Sequence, residues 1–110
     1  DSDDTPRAAA TRKKLKEKVT VDFKDTPLHE VVDELKDQIK GLLMQIDAKG
    51  GVSRNTQITY SGKDVTLEAA LDGMFKKNGL GYIVISKKGN AYDGSIQIRQ
   101  GKERGYPKEK

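Results

Sequence analysis

The stretch VTVDFKDTPLHEVVDEL at 19–35 returns 39 positions later as ITYSGKDVTLEAALDGM at 58–74. Thr20/Thr59, Lys24/Lys63, Asp25/Asp64, Leu28/Leu67 and Asp33/Asp72 are identical, and Val19/Ile58, Val32/Leu71 and Leu35/Met74 keep apolar character. The identities are few, and the shared register of strand, turn and helix carries more weight than they do. One strand–helix–strand unit leaves part of its helix and sheet in water, whereas two units packed together bury both. The duplication therefore predicts a single core built by two copies, and it needs no chemistry to explain it. A chain of 110 residues has room for one such domain.

Within each copy the hydrophobic period changes from two to 3.6. Val19, Val21 and Phe23 alternate with Thr20 and Asp22, the pattern of a half-buried strand. Asp25-Thr26-Pro27 is a helix start, with Thr26 as N-cap and Pro27 at the first helical position. Leu28, Val31, Val32, Leu35 and Ile39 then form one apolar stripe over 27–40, with Glu30, Asp33, Glu34 and Asp37 opposite it and Gly41 as the stop. LLMQIDA predicts a second strand. In the second copy TQITY is a strand, SGKDV reverses the chain, and Leu67, Ala70, Leu71, Met74 and Phe75 make a helix over 66–78 that stops at Asn78-Gly79. LGYIVIS is an apolar run suited to a central strand, KKGN to a hairpin turn, and AYDGSIQIR to a last strand. The expected order is β-α-β-β-α-β-β, an α+β fold over residues 18–99, flanked by a flexible leader at 1–17 and a flexible tail at 100–110. The small side of the second helix, Ala69, Ala70 and Gly73, predicts close packing of the two helices, with a shallow groove for a partner's side chain as the alternative.

Charge and composition narrow the function. The net charge is +4. Residues 1–18 carry six basic and four acidic side chains and residues 100–110 four and two, which leaves eleven of each in 19–99. The excess sits on the ends, so nucleic-acid or anionic-surface binding through basic tails is the second reading. Specific nucleic-acid recognition is not expected, because phosphate binding needs a concentrated basic surface. There is no Cys, which removes disulfides, thiolate chemistry and Cys-based zinc sites. No apolar run reaches the ~20 residues of a membrane-spanning helix.

Catalytic constellations are missing. His29 is the only histidine and has no Cys or second His to share a metal with, so it reads as a surface residue near a helix N-terminus. Glu30, Asp33, Glu34 and Asp37 read as a solvated helix face, or as an acidic docking surface for a basic partner. A helix does not wrap Ca²⁺ as a loop does. GKERG and KKGN do not match a phosphate-binding loop. KH-type helix pairing is absent, and Tyr60, Tyr82, Tyr92 and Tyr106 are too scattered to form a stacking platform. No enzyme, cofactor or metal is expected.

The residues Val19, Val21, Phe23, Asp25, Pro27, Leu28, Val31, Val32 and Leu35 resemble the spacing of the short N-terminal module shared by secretins and TonB-dependent receptors. Val65, Leu67, Ala70, Leu71, Gly79, Leu80 and Tyr82 resemble that family's second signature, V-x-L-x-x-A-L followed by G-L-x-Y. The likeness spans about residues 18–99. It departs at IKGLLMQIDAKGGVSRNT, which has no G-L-N followed by three apolar residues and Asp. The resemblance implies two helices held between two small β-sheets. It also implies a docking role toward another envelope protein or peptide in the periplasm or cell envelope. Small sheets expose edges to which an extended partner can add. The candidate partner-binding strands are Val19–Phe23 (Val19, Val21, Phe23) and Tyr92–Arg99 (Tyr92, Ile96, Ile98).

Overall fold

The computed structural model describes residues 3–107. Its elements in chain order are α1 (Pro6–Lys14), β1 (Lys18–Pro27), α2 (Leu28–Gln38), β2 (Met44–Ile46), β3 (Gln57–Thr66), α3 (Leu67–Phe75), β4 (Leu80–Val84), β5 (Ile96–Gln100) and β6 (Arg104–Gly105). β1 and β3 form a two-stranded sheet, and β2-β5-β4-β6 form a four-stranded one. α2 packs on β1 and β2, and α3 on β3 and β4, so both helices touch both sheets. One apolar cluster joins all of them, with Leu28, Leu35, Ile58, Leu67, Leu71 and Phe75 fully buried. This is the α+β architecture expected of a duplicated unit.

The duplication is a pseudo-two-fold axis. β1 and β3 run antiparallel, pairing Lys18 with Thr66 and Pro27 with Gln57, Val19 with Val65 and Thr26 with Ile58, Val21 with Gly62 and Phe23 with Tyr60. A shift of 39 residues turns each of these pairs into its companion, and Asp22–Ser61 into itself. Hydrogen bonds obey the same operator. The Asp25 amide donates to Thr59 Oγ1 at 3.0 Å and the Asp64 amide to Thr20 Oγ1 at 2.9 Å. Leu28 N–H bonds Thr56 C=O and Leu67 N–H bonds Glu17 C=O, both at 2.8 Å. Asp25 and Asp64 alone among the described non-glycine residues take positive φ, 47° and 54°. That conformation is costly for most side chains and tolerated by Asp. Each Asp bends its strand into the helix that follows.

This bend corrects two expectations. SGKDV is not a reversal, because β3 runs through it to Thr66, with a register irregularity where the chain kinks. Thr26 is not the N-cap. β1 continues through Thr26, and Pro27 is the capping residue with no side-chain cap. Its mate Thr66 does cap α3, accepting from the Ala69 amide. Both helices also end earlier than expected, at Gln38 and Phe75. Gly41 (φ 79°) and Gly79 (φ 65°) then turn each chain into its next strand. From these glycines on, the copies match with a shift of 38: Leu42, Met44 and Ile46 face the core as Leu80, Tyr82 and Val84 do.

Two further expectations fall. The leader expected at 1–17 is structured over its described part: α1 has Ala8, Thr11 and Leu15 buried, and Thr11 Oγ1 donates to Gly94 C=O. Short side chains let this helix lie close to its neighbour, so burial does not need a large apolar stripe. The tail expected at 100–110 supplies β6, and Tyr106 carries the Arg12 guanidinium 3.8 Å from its ring centre. Residues 1–2 and 108–110 of those two segments lie outside the described residues. Of the thin side of α3, Gly73 faces β3 and Ala70 is buried in the core. A Cβ on Gly73 would stand 2.5 Å from the Tyr60 ring, while Ala69 is exposed.

Candidate docking surface

The residues expected to carry chemistry do not converge. His29 sits half-buried at the start of α2, and Glu30, Asp33, Glu34 and Asp37 are all exposed. Among the described residues no three His, Asp or Glu side chains are placed to hold a metal ion. The Tyr82 phenol is pushed up to about 12, chiefly by burial and then by the Glu68 carboxylate. It belongs to the core, edge-on to Phe75 with ring centres 6.2 Å apart. Asp4 is held below its ordinary 3.8 by the hydrogen bond from Arg12, against the opposing effect of burial. Arg12 also donates to the Gly105 carbonyl at 3.0 Å, so one guanidinium ties the N-terminal helix to the C-terminal strand. Part of the basic charge on the two ends is thereby committed within the molecule.

The candidate partner-binding residues are placed unequally. Val19, Val21 and Phe23 point their side chains into the core, and only their strand's backbone edge is available. That edge is partly closed: the Gln38 side chain accepts from the Thr20 amide at 3.0 Å and donates to the Thr20 carbonyl at 2.8 Å. A carboxamide in this orientation imitates one residue of a neighbouring strand. The repeat puts Lys77 at the position of Gln38 and Thr59 at that of Thr20, and an ammonium has no acceptor for an amide N–H.

The second candidate strand, Tyr92–Arg99, is corrected. Residues 92–94 lie in a turn, Ser95 follows it, and the strand begins at Ile96. β5 lies between β2 and β4, with both edges hydrogen-bonded. Ile96 and Ile98 are at most 1% exposed. Alternating Ile96 and Ile98 suit a centre as well as an edge, which is why sequence could not place this strand. Tyr92 is 57% exposed but stands in the turn before β5 and not in a strand.

The edge that sequence did not single out is β2. Its three residues border β5 on one side only. A groove of about 310 Å³ runs along its other side, floored by Val32, Met44 and Ile46 and rimmed by His29, Asp33, Lys36 and Arg54. A helix beside an unpaired edge strand is a recurrent setting for peptide addition. Leu43, at the head of β2, is 47% exposed. A larger hollow of about 670 Å³ lies on Gln100–Glu103, Tyr106 and Pro107.

No helix among the described residues is long and apolar enough to cross a membrane. Comparison of the chain with protein-family models, with curated proteins and with solved structures found no match.

Proposed function

We propose that this chain is a non-enzymatic docking module that grips another protein by strand addition. We further propose that it serves a bacterial envelope secretion or receptor system, in the manner of the short N-terminal module of secretins and TonB-dependent receptors. The observation that carries the docking reading is the open edge of β2 with a helix-walled groove beside it. The two helices held between two small sheets are the architecture that the family resemblance implies, and they support the envelope reading. Strand addition takes affinity from main-chain hydrogen bonds and selectivity from side-chain pockets, so it needs no reactive constellation.

The test is a titration of ¹⁵N-labelled full chain with extended peptides from periplasmic segments of secretion and receptor components. Saturable amide shifts at a sheet edge support docking. Shifts confined to residues 3–17 and 100–107, weakening steeply with salt, favour binding of anionic partners by the basic ends and overturn it.

A further inference from the structure

We infer that the β2 groove receives an extended partner segment bearing an arginine next to an acidic residue, added parallel to β2, with the arginine on Asp33. The inference rests on the docking reading above and adds the site and the chemistry of the occupant.

The pseudo-dyad supplies the template. β2 and β4 are mates, flanking β5 in opposite directions, and Gln45 and Ile83 both stand opposite Gln97. On the outer side of β4 the chain adds a strand to itself: β6 runs parallel to β4, pairing Arg104 with Tyr82 and Gly105 with Ile83. The Tyr82 amide donates to the Glu103 carbonyl at 3.0 Å. The corresponding side of β2 carries no strand. Ile96 N–H bonds the Leu43 carbonyl at 2.8 Å and Asp47 N–H bonds the Ile98 carbonyl at 2.9 Å. Residues 43, 45 and 47 therefore turn toward β5, and by alternation Met44 turns its N–H and C=O outward, as Tyr82 does toward β6.

The chemistry follows from the same operator. Arg104 Nε donates to the Asp72 carboxylate at 3.0 Å, and its Nη1 to the Leu80 carbonyl at 3.0 Å. The mates of these two acceptors are Asp33, one of the five identities of the repeat, and Leu42. Asp33 lines the β2 groove, with Glu30, Glu34 and Asp37 also on α2. A guanidinium opposite Met44 thus meets at Asp33 what Arg104 meets at Asp72. Lys36 and Arg54 make the remaining rim basic and call for an acidic neighbour on the segment, as Glu103 neighbours Arg104. One difference marks the occupant as a separate chain segment. A Cβ on Gly81 would lie 2.6 Å from the Glu103 amide nitrogen, so only glycine admits the tight 101–103 turn there. β2 has Leu43 at that position, which excludes a copied turn and offers exposed apolar surface to a strand arriving on its own path.

The probe is the acetylated, amidated peptide QGKERGYP, this chain's own residues 100–107, titrated into ¹⁵N-labelled full chain. Shifts centred on Met44–Ile46 and Asp33 are expected. A peptide with Arg104→Glu should bind about threefold more weakly, the scale of an exposed ion pair, and Asp33→Arg in the protein should restore it. Shifts restricted to Tyr82 and Ile83 mean that the peptide only displaces β6, and they overturn the inference. So does binding at Thr59–Ser61 of β3, or envelope peptides binding elsewhere while this one binds nowhere. Those outcomes leave docking intact. If neither peptide set binds any edge, both readings fail.

Discussion

Gln38 is the residue that makes the two halves of the small sheet unequal, and its removal has a calculable effect. Gln38→Ala deletes both hydrogen bonds to Thr20, at 3.0 and 2.8 Å, and a third to Glu34 Oε2 at 2.8 Å. All three are exposed, so water replaces the lost partners and each backbone bond contributes near the low end of the usual net range, about 0.5 kcal/mol. Alanine returns a few tenths of a kcal/mol as the better helix former, less than usual at a last helical residue. The net loss is about 0.5–1 kcal/mol, which for a domain of this size lowers Tm by roughly 2–4 °C. Local amide exchange is the sharper assay. In the parent chain the Thr20 amide should exchange more slowly than that of Thr59, its mate across the dyad, which has Lys77 in place of Gln38. In Gln38→Ala the two should converge. Gln38→Glu keeps the acceptor for Thr20 N–H but loses the donor and faces Glu34, so Thr20 stays partly protected while stability falls. An unchanged Thr20 exchange rate in Gln38→Ala refutes the account of that edge as closed.

Three shorter predictions test other parts of the fold. Asp25→Ala and Asp64→Ala should each cost about 1 kcal/mol, because alanine lacks the local tolerance of Asp for φ near 50°, while Asp→Gly at either site should cost less in thermal unfolding. Gly73→Ala should destabilise by about 1–3 kcal/mol in denaturant titration, since its Cβ would meet the Tyr60 ring at 2.5 Å, and Tyr60→Leu in the same chain should recover part of that loss. The lowered Asp4 pKa fixes the sign of an acid effect. A carboxylate held below its ordinary range contributes stability that is complete above that range and is lost as pH falls through it toward the folded value. Anchoring of α1, followed by proteolysis at 3–17, should therefore weaken below about pH 4, and Arg12→Gln should flatten that dependence.

The legible part of this fold was whatever hydrophobic period could encode. Val19, Val21 and Phe23, the α2 stripe and the α3 stripe fall where alternation and 3.6 spacing put them, and the repeat announced that two such blocks would share a core. Illegible were features decided by partners far along the chain. α1 depends on Thr11 meeting Gly94 and on Arg12 meeting Gly105, contacts 83 and 93 residues apart with no local signature. The central place of β5 is likewise long-range, since Ile96 and Ile98 alternate as an edge strand's residues would. Asp25 and Asp64 were visible as identities, yet they read as turn residues, because a single left-handed residue inside a strand has no periodicity. The candidate surface suffered most. Val19–Phe23 was a fair edge on one side, but nothing in the sequence says that Gln38 closes it or that the outer side of β2 at Met44 carries no strand.

The repeat also explains why this fold has vacant surface of a particular shape. A perfect dyad would treat β2 and β4 alike, leaving both outer edges bare or covering both. The chain breaks that symmetry at its two ends, which are the parts outside the repeat: α1 lies against β4, and β6 pairs along it. Arg12 locks the two additions together through Gly105 and Tyr106. Their effect is to shield one of two equivalent edges, and shielding is how monomeric proteins keep open strands from pairing indiscriminately. The other edge retains the same acidic residue, Asp33 for Asp72, and an outward-turned backbone at Met44. Had both edges needed only protection, a short charged cover on β2 would have served as well as β6 serves β4. In the docking proposed above, the asymmetry leaves a site whose complement the molecule already contains, once, in cis.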